Sequence, residues 1–271
     1  MKNARQYVFE TLFLATVFAL SLTGFWKIYF GAGADPNGFH HLHVLTNLAW
    51  LTLLLCQLSL AGSARYRTHK QLGLSVLFFA PLLVATTALL SVHSAHKGLV
   101  SGRGDFLIVQ NVMVTLELAL LILLAFVLRK RRKLHASFLL GTAMLFMGIA
   151  LFFTLIGFVP AYRIEGPETF YRFETAGATA RYACLAVGLF FFLRAPRNGW
   201  PLLLASASFS LNELIKSFLE ARNLIQPLTE FVGSMSPWLA FFGSFALLFA
   251  LLAATGIHAS GGLPSRSQAP A

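Results

Sequence analysis

Three histidines fall within four positions in "GFHHLHVLTNLAWL", Gly38 to Leu51, just where a polar loop turns into a long apolar run. On a helix, His40, His43, Asn47, Trp50 and Gln57 share one stripe, while His41 points about 100° away from His40. A second pair, His93 and His96, lies three residues apart in "SVHSAHKG". Neutral imidazole suits Zn, Cu and Fe. Four imidazoles at one depth on two adjoining helices would therefore suit a transition metal, and His40, His43, His93 and His96 are the candidate metal ligands. The competing reading is an amphipathic border at a membrane interface, since no carboxylate completes a known motif. His69 and His135 form a second layer, at the starts of two later helices. One histidine from each of two helices can clamp a b-type haem iron, which makes this pair the candidate cofactor ligands. The plain alternative is two loop histidines beside Arg and Lys.

A second set of residues is costly in lipid. Glu117 falls near the middle of an apolar run and shares a stripe with Gln110. An ionisable side chain at that depth must pair, face a watery cavity or stay protonated. "TARYAC" and "SLNELIKSF" bring Arg181, Asn212, Glu213 and Lys216 into two consecutive runs. An Arg181–Glu213 ion pair is the simplest way to accommodate both charges. Removing one member of a buried pair of that kind costs roughly 3–5 kcal/mol in water-soluble proteins. Lys216 in a seventh span invites a retinal Schiff base, but it sits near a helix end without an aromatic retinal pocket.

The elements that must position these residues are membrane helices. Of 271 residues, 57% are hydrophobic and 11% charged, well below the roughly 25% charged of soluble domains. Apolar runs of about 20 residues recur, the length that crosses a ~30 Å hydrocarbon core. A β-barrel would show alternating segments of about 10 residues instead. The reading is an all-α integral membrane bundle of eight spans: Tyr7–Phe30, His40–Gly62, Leu72–Ala95, Phe106–Leu128, Ala136–Val159, Thr175–Leu193, Pro201–Leu219 and Phe231–Thr255. Pro81 and Pro237 are expected to kink the third and eighth. The first run is too long for a cleaved signal peptide and is expected to remain as an anchor. Residues 1–256 form one transmembrane domain, and 257–271 a disordered cytoplasmic tail.

The net charge of +11 does not imply nucleic acid, because the basic residues concentrate in alternate loops. Lys2, Arg5, Arg65, Arg67, Lys70, the run Arg129–Lys133, Arg194, Arg197 and Arg266 make thirteen of the 21 Lys and Arg. The positive-inside rule then places these segments and both termini in the cytoplasm. Cys56 and Cys184 fall inside apolar runs, so no disulfide framework is implied. "RYRTHKQLG" and "RRKLHASFLLG" echo one another before the third and fifth spans.

The stretch "HVLTNLAWLTLLLCQLSLAG…THKQLG" resembles a loose group of uncharacterised bacterial multi-span membrane proteins. They carry His, Trp and Gln in one helix and His-x-x-Leu-Gly opening the next, here His43, Trp50, Gln57, His69, Leu72 and Gly73. The resemblance implies a bacterial inner-membrane protein with recurring histidines and supplies no chemistry. The leading functional expectation is a transition metal or b-type haem bound for electron transfer. A transporter or permease using Glu117, Arg181 and Glu213 is the alternative from another class. The third is a non-catalytic membrane partner of a larger assembly. No nucleotide-binding loop or nucleophile motif is present. The lipid bilayer is the one partner that composition specifies, and the substrate of a transporter is not specified.

Overall fold

The computed structural model describes residues 7–102 and 104–260, with side chains described as far as residue 255. Ten α-helices make up the bundle: α1 (Val8–Gly24), α2 (Gly38–Gly62), α3 (Tyr66–Leu74), α4 (Val76–Val100), α5 (Ile108–Val127), α6 (Arg132–Phe158), α7 (Tyr171–Arg194), α8 (Pro196–Ala221), α9 (Ile225–Gly233) and α10 (Pro237–Ser260). No strand occurs among the described residues. Seven of these helices are long and apolar enough to cross a membrane. The 17-residue α1 is continued by a π-helical turn, Trp26–Phe30. The chain is a multi-pass helical membrane protein.

Several boundaries differ from the sequence reading for local reasons. The expected third span opened at Leu72, but Leu72 belongs to α3, a short amphipathic helix that ends at Ser75 before α4 begins. Pro237, expected to kink the eighth span, instead opens α10, where its missing N–H costs nothing. The residues before it, from Phe231 to Gly233, close the separate helix α9. Pro81 does lie inside α4. α10 continues through residues 257–260 of the expected tail, and residues 261–271 lie outside the described ones, as do Lys2 and Arg5.

Two helices are the pillars. In α4 and α6, 61% and 67% of the apolar window is buried, against 28% in α7 and α8 and 11% in α10. α6 packs against α1, α5, α7 and α8; α4 packs against α2, α5, α9 and α10. Short connections join helices that touch, α2 to α4 through the small helix α3 and α7 to α8 through Ala195 alone, as such connections require. The connections after α2, α5 and α7, with the helix ends beside them, hold Arg65, Arg67, Lys70, the run Arg129–Lys133, Arg194 and Arg197 and share one end, hereafter the basic end. Both described ends of the chain lie there too. Glu10 meets Arg194 at 3.0 Å, and the Thr255 carbonyl accepts from Arg129 at 3.0 Å.

Close approach of the backbones joins α7 to α8 near the basic end. A Cβ at Gly188 would run into Ser206, and one at Gly199 into the backbone of Phe191. Backbones this close gain dispersion contacts, which replace the hydrophobic effect as the drive for packing in lipid. We therefore expect Gly188→Ala to lower stability by about 1–3 kcal/mol, the usual cost of overpacking. Thermal unfolding in mild detergent checks this, and an unchanged midpoint would contradict the close packing.

A candidate functional cavity at the end opposite the basic loops

The three neighbouring histidines have three different environments. Asn37 caps α2: its Oδ1 accepts from the N–H groups of Phe39 and His40, and its own N–H donates to His40 Nδ1 at 3.2 Å. This is a capping box, which satisfies donors that a helix start leaves free. The Asn37 amide also donates to His93 Nε2 at 2.9 Å. His40 and His93 meet edge to face, centroids 5.5 Å apart. Each thus has one ring nitrogen engaged by the same asparagine. His41 faces away and bonds the Tyr29 hydroxyl through Nδ1 at 2.8 Å. His43 turns inward, its Nδ1 buried with no hydrogen-bond partner among the described residues.

His96 is exposed, on the side where Gly233 of α9 packs against α4. His40, His43, His93 and His96 therefore do not form one ligand set. Among the described residues, no group of three or more His, Cys, Asp or Glu is arranged to hold a metal. His69 and His135 each donate Nδ1–H to a carbonyl of the preceding helix, Gln57 at 3.2 Å and Ala125 at 2.8 Å. The two echoing loop sequences are thus one local device used twice. At α5 it supplies a donor to a carbonyl in the last helical turn.

Between the α2–α4 and α7–α8 pairs lies a cavity of about 940 Å³, lined from seven helices, α1, α2 and α4 to α8. α1 contributes Ser21, and the other six helices each contribute a stripe at helical spacing. On α2 it is His40, His43, Val44 and Asn47; on α7, Glu174, Gly177, Ala178 and Arg181; on α8, Phe209, Glu213, Lys216 and Glu220. Exposed Lys97, Glu174 and Glu220 mark its rim, at the end away from the basic loops. Its floor is at Ser21, Asn47, Val114, Gly148 and Phe209, roughly 13 Å below the start of α2 at 1.5 Å per residue. Beneath the floor the bundle is solid: Trp50, Leu51, Leu118, Met144 and Leu145 are fully buried. There Trp50 Nε1–H donates to Thr142 Oγ1 at 2.9 Å.

One wall is charged. Arg181 lies 3.5 Å from Glu213, and Lys216 lies 3.6 Å from both Glu213 and Glu220. Three cations (Lys97, Arg181, Lys216) and three carboxylates (Glu174, Glu213, Glu220) line the cavity, so with neutral imidazoles its charges sum to zero. The Arg181–Glu213 contact is real, but it is not the buried pair that the sequence suggested. The Glu213 side chain is 40% exposed, because it faces the cavity and not a helix interior.

A polar layer continues below this wall. Gln110 lines the cavity and accepts from the Asn212 amide at 3.4 Å. Asn212 is fully buried, and its side chain also reaches the Glu117 carboxyl. Ser208 donates to Glu117 Oε2 at 3.1 Å. Glu117 Oε1 and Asn212 Oδ1 have no partner among the described residues. The structure thus gathers Asn47, Gln110, Arg181, Glu213, Lys216, His40, His43 and His93 around one cavity, with Glu117 and Asn212 just beyond its lining. His69, His96 and His135 lie outside it.

Sequence reading passed over Lys97, Ser91, Ser94, Asn111, Glu174 and Glu220, which also line the cavity. Their signal was the stripe itself, polar residues three and four apart in the same half of each helix. It also passed over Gly177, where an added Cβ would meet nothing within 4 Å. A glycine in mid-helix costs up to about 1 kcal/mol relative to alanine, and here no neighbouring atom requires it. We expect Gly177→Ala to raise stability by about 0.5–1 kcal/mol, the opposite sign to Gly188→Ala. We also expect a double-mutant cycle on Arg181→Ala and Glu213→Ala to give a coupling below about 1 kcal/mol, since exposure screens the pair. A coupling of several kcal/mol in detergent unfolding would mean that the wall is sealed from water.

No family model matches the chain, and no curated protein or solved structure is significantly similar to it, so the reading of the cavity rests on its own residues.

Proposed function

We propose that this chain is a transporter or permease of a bacterial inner membrane, with the basic end in the cytoplasm and the cavity facing outward. One observation carries the reading: a cavity of about 940 Å³, lined from seven helices with polar stripes on five of them, α2, α4, α5, α7 and α8, stops halfway through the bundle on a packed floor. Binding sites of this size take drug-sized ligands, and transporter sites lie near the bilayer midplane. The walls combine rings such as Phe25, Phe106, Phe152, Phe173 and Phe209 with charges that cancel. That chemistry favours a neutral or zwitterionic solute with an apolar body. The electron-transfer reading has less support, since among the described residues no group of three or more His, Cys, Asp or Glu is arranged to hold a metal.

Cysteine labelling tests the accessibility. With Cys56 and Cys184 replaced by serine, Gly177→Cys should react with a membrane-impermeant maleimide added outside the cell. Ala143→Cys, in the packed core where Ala143 is fully buried, should not. Reaction at residue 177 only from the cytoplasmic side would reverse the orientation, and no reaction from either side would remove the cavity from solvent. Transport itself is read as uptake of labelled neutral and zwitterionic amphiphiles into proteoliposomes. We expect Gly177→Trp, which fills open space, to abolish any such flux; flux that survives it would place the path elsewhere.

A further inference from the structure

The buried carboxyl of Glu117 has no role in lining the cavity, yet it is joined to it. Glu117 is the one ionisable residue in α5, about 14 Å along the helix at 1.5 Å per residue. α5 packs against α4, α6, α8, α9 and α10, and none of them presents a cation to this carboxyl. The ionisable residues of α4 are His93, His96 and Lys97, in its last two turns or so away from the basic end. Those of α6 are Arg132, Lys133 and His135, in its first turn at the basic end. α9 has Glu230, and α10 has His258, whose side chain is outside the described ones. On α8, Arg197 is at the basic end, and Glu213, Lys216 and Glu220 pair among themselves and with Arg181. The nearest of these to Ser208 is Glu213, five residues or about 7.5 Å along α8.

An ionised carboxylate only accepts hydrogen bonds, whereas the protonated acid also donates one. Here two acceptors, Glu117 Oε1 and Asn212 Oδ1, are buried without partners among the described residues, and the two side chains adjoin. A proton on Oε1 turns that unpartnered acceptor into a donor, and an Asn212 amide turned over would give Oδ1 this bond to accept. It also removes an unpaired charge from the apolar interior, where such charges are costly. In the ionised state the donors from Ser208 and Asn212 remain to hold the carboxylate. Both states therefore have a bonding pattern, and they differ in which way the Asn212 amide is used. That amide is the group that bonds Gln110 on the cavity wall.

We propose that Glu117 is a proton-binding site coupled to the cavity, its protonation read out through Asn212 and Gln110. The inference rests on the transport reading, to which it adds the coupling ion. The proton comes from water in the cavity and returns to it, and no other bond is made or broken. Filling the cavity beside Gln110 shifts the proton equilibrium at Glu117, and protonation in turn shifts binding in the cavity, because linkage is reciprocal.

Infrared difference spectra of the full chain in nanodiscs test this with the proton as the probe. On acidification through about pH 9 to 5, a range that buried carboxyls reach, a carboxylic C=O band should appear in wild type and be missing in Glu117→Gln. A band that persists in Glu117→Gln, or no carboxyl titrating in that range, overturns the site. Should Glu117→Gln fail to fold, Asn212→Leu serves instead: it should move the frequency of the band, and an unmoved band overturns the pairing. Coupling is read from Gly177→Trp, which should shift the titration midpoint of the same band by about half a unit or more, around 0.7 kcal/mol at 1.36 kcal/mol per unit. A midpoint unmoved by filling the cavity overturns the coupling. Maleimide labelling at residue 177 reports accessibility independently, so failure of the cavity reading and failure of the proton site are separate results.

Discussion

An apolar exterior is the constraint on which the rest of this bundle depends. α8 illustrates it within one helix. Leu204, Leu211, Leu214 and Phe218 point outward and are exposed, while Phe209, Glu213 and Lys216 line the cavity and Asn212 is fully buried. In lipid, a charged or amide side chain has no solvent on the outside of the bundle. Every polar residue in the half away from the basic loops must therefore turn inward, cap a helix or reach an end. When five helices, α2, α4, α5, α7 and α8, do this at the same depth, their polar stripes cannot close-pack as leucines do, and a cavity is the result. The other half has few polar residues to accommodate, and it packs solid around Trp50, Leu118, Met144 and Leu145.

The asparagine at the start of α2 shows the same constraint at the scale of a few atoms. Asn37 has to satisfy the free N–H groups of a helix that starts at the membrane boundary. It does so with both faces of its amide, and in doing so engages His40 and His93. Those histidines are held by the needs of the helix start. His43, one turn further in, has no such duty: it lines the cavity beside His40 and His93, and its buried Nδ1 has no partner among the described residues.

Much of the fold was legible because membrane helices announce themselves by length and apolarity. The long spans, the inward stripe of α2 and the meeting of Arg181 with Glu213 all followed from spacing alone. Boundaries were missed where a short helix abuts a long one, as at Ser75 and before Pro237, since hydropathy runs through both. The site was only half legible. Spacing put His40 and His93 at one depth but could not reveal that a loop residue, Asn37, engages one nitrogen of each. Nor could it reveal that the histidines and the Arg181–Glu213 wall share one cavity, because that depends on how α2 and α4 sit relative to α7 and α8. Gly177 was invisible for a related reason. A glycine that makes a close contact and one that leaves open space read the same in a sequence.

The uneven burial of the helices bears on how this molecule can move. α7 and α8 are fused by the close approach at Gly188 and Gly199, so bending one without the other would break many contacts at once. One face of the same two helices packs on α6 and the rest is open, with 28% of each apolar window buried, compared with 67% in α6. A hairpin that is stiff within itself and held on one face is displaced most cheaply as one rigid lever. It would swing on the short turn at Ala195, with α4 and α6 as the stationary frame. The lever carries Glu174, Arg181, Glu213 and Lys216 together, so a swing would move the whole charged wall without separating its ion pairs.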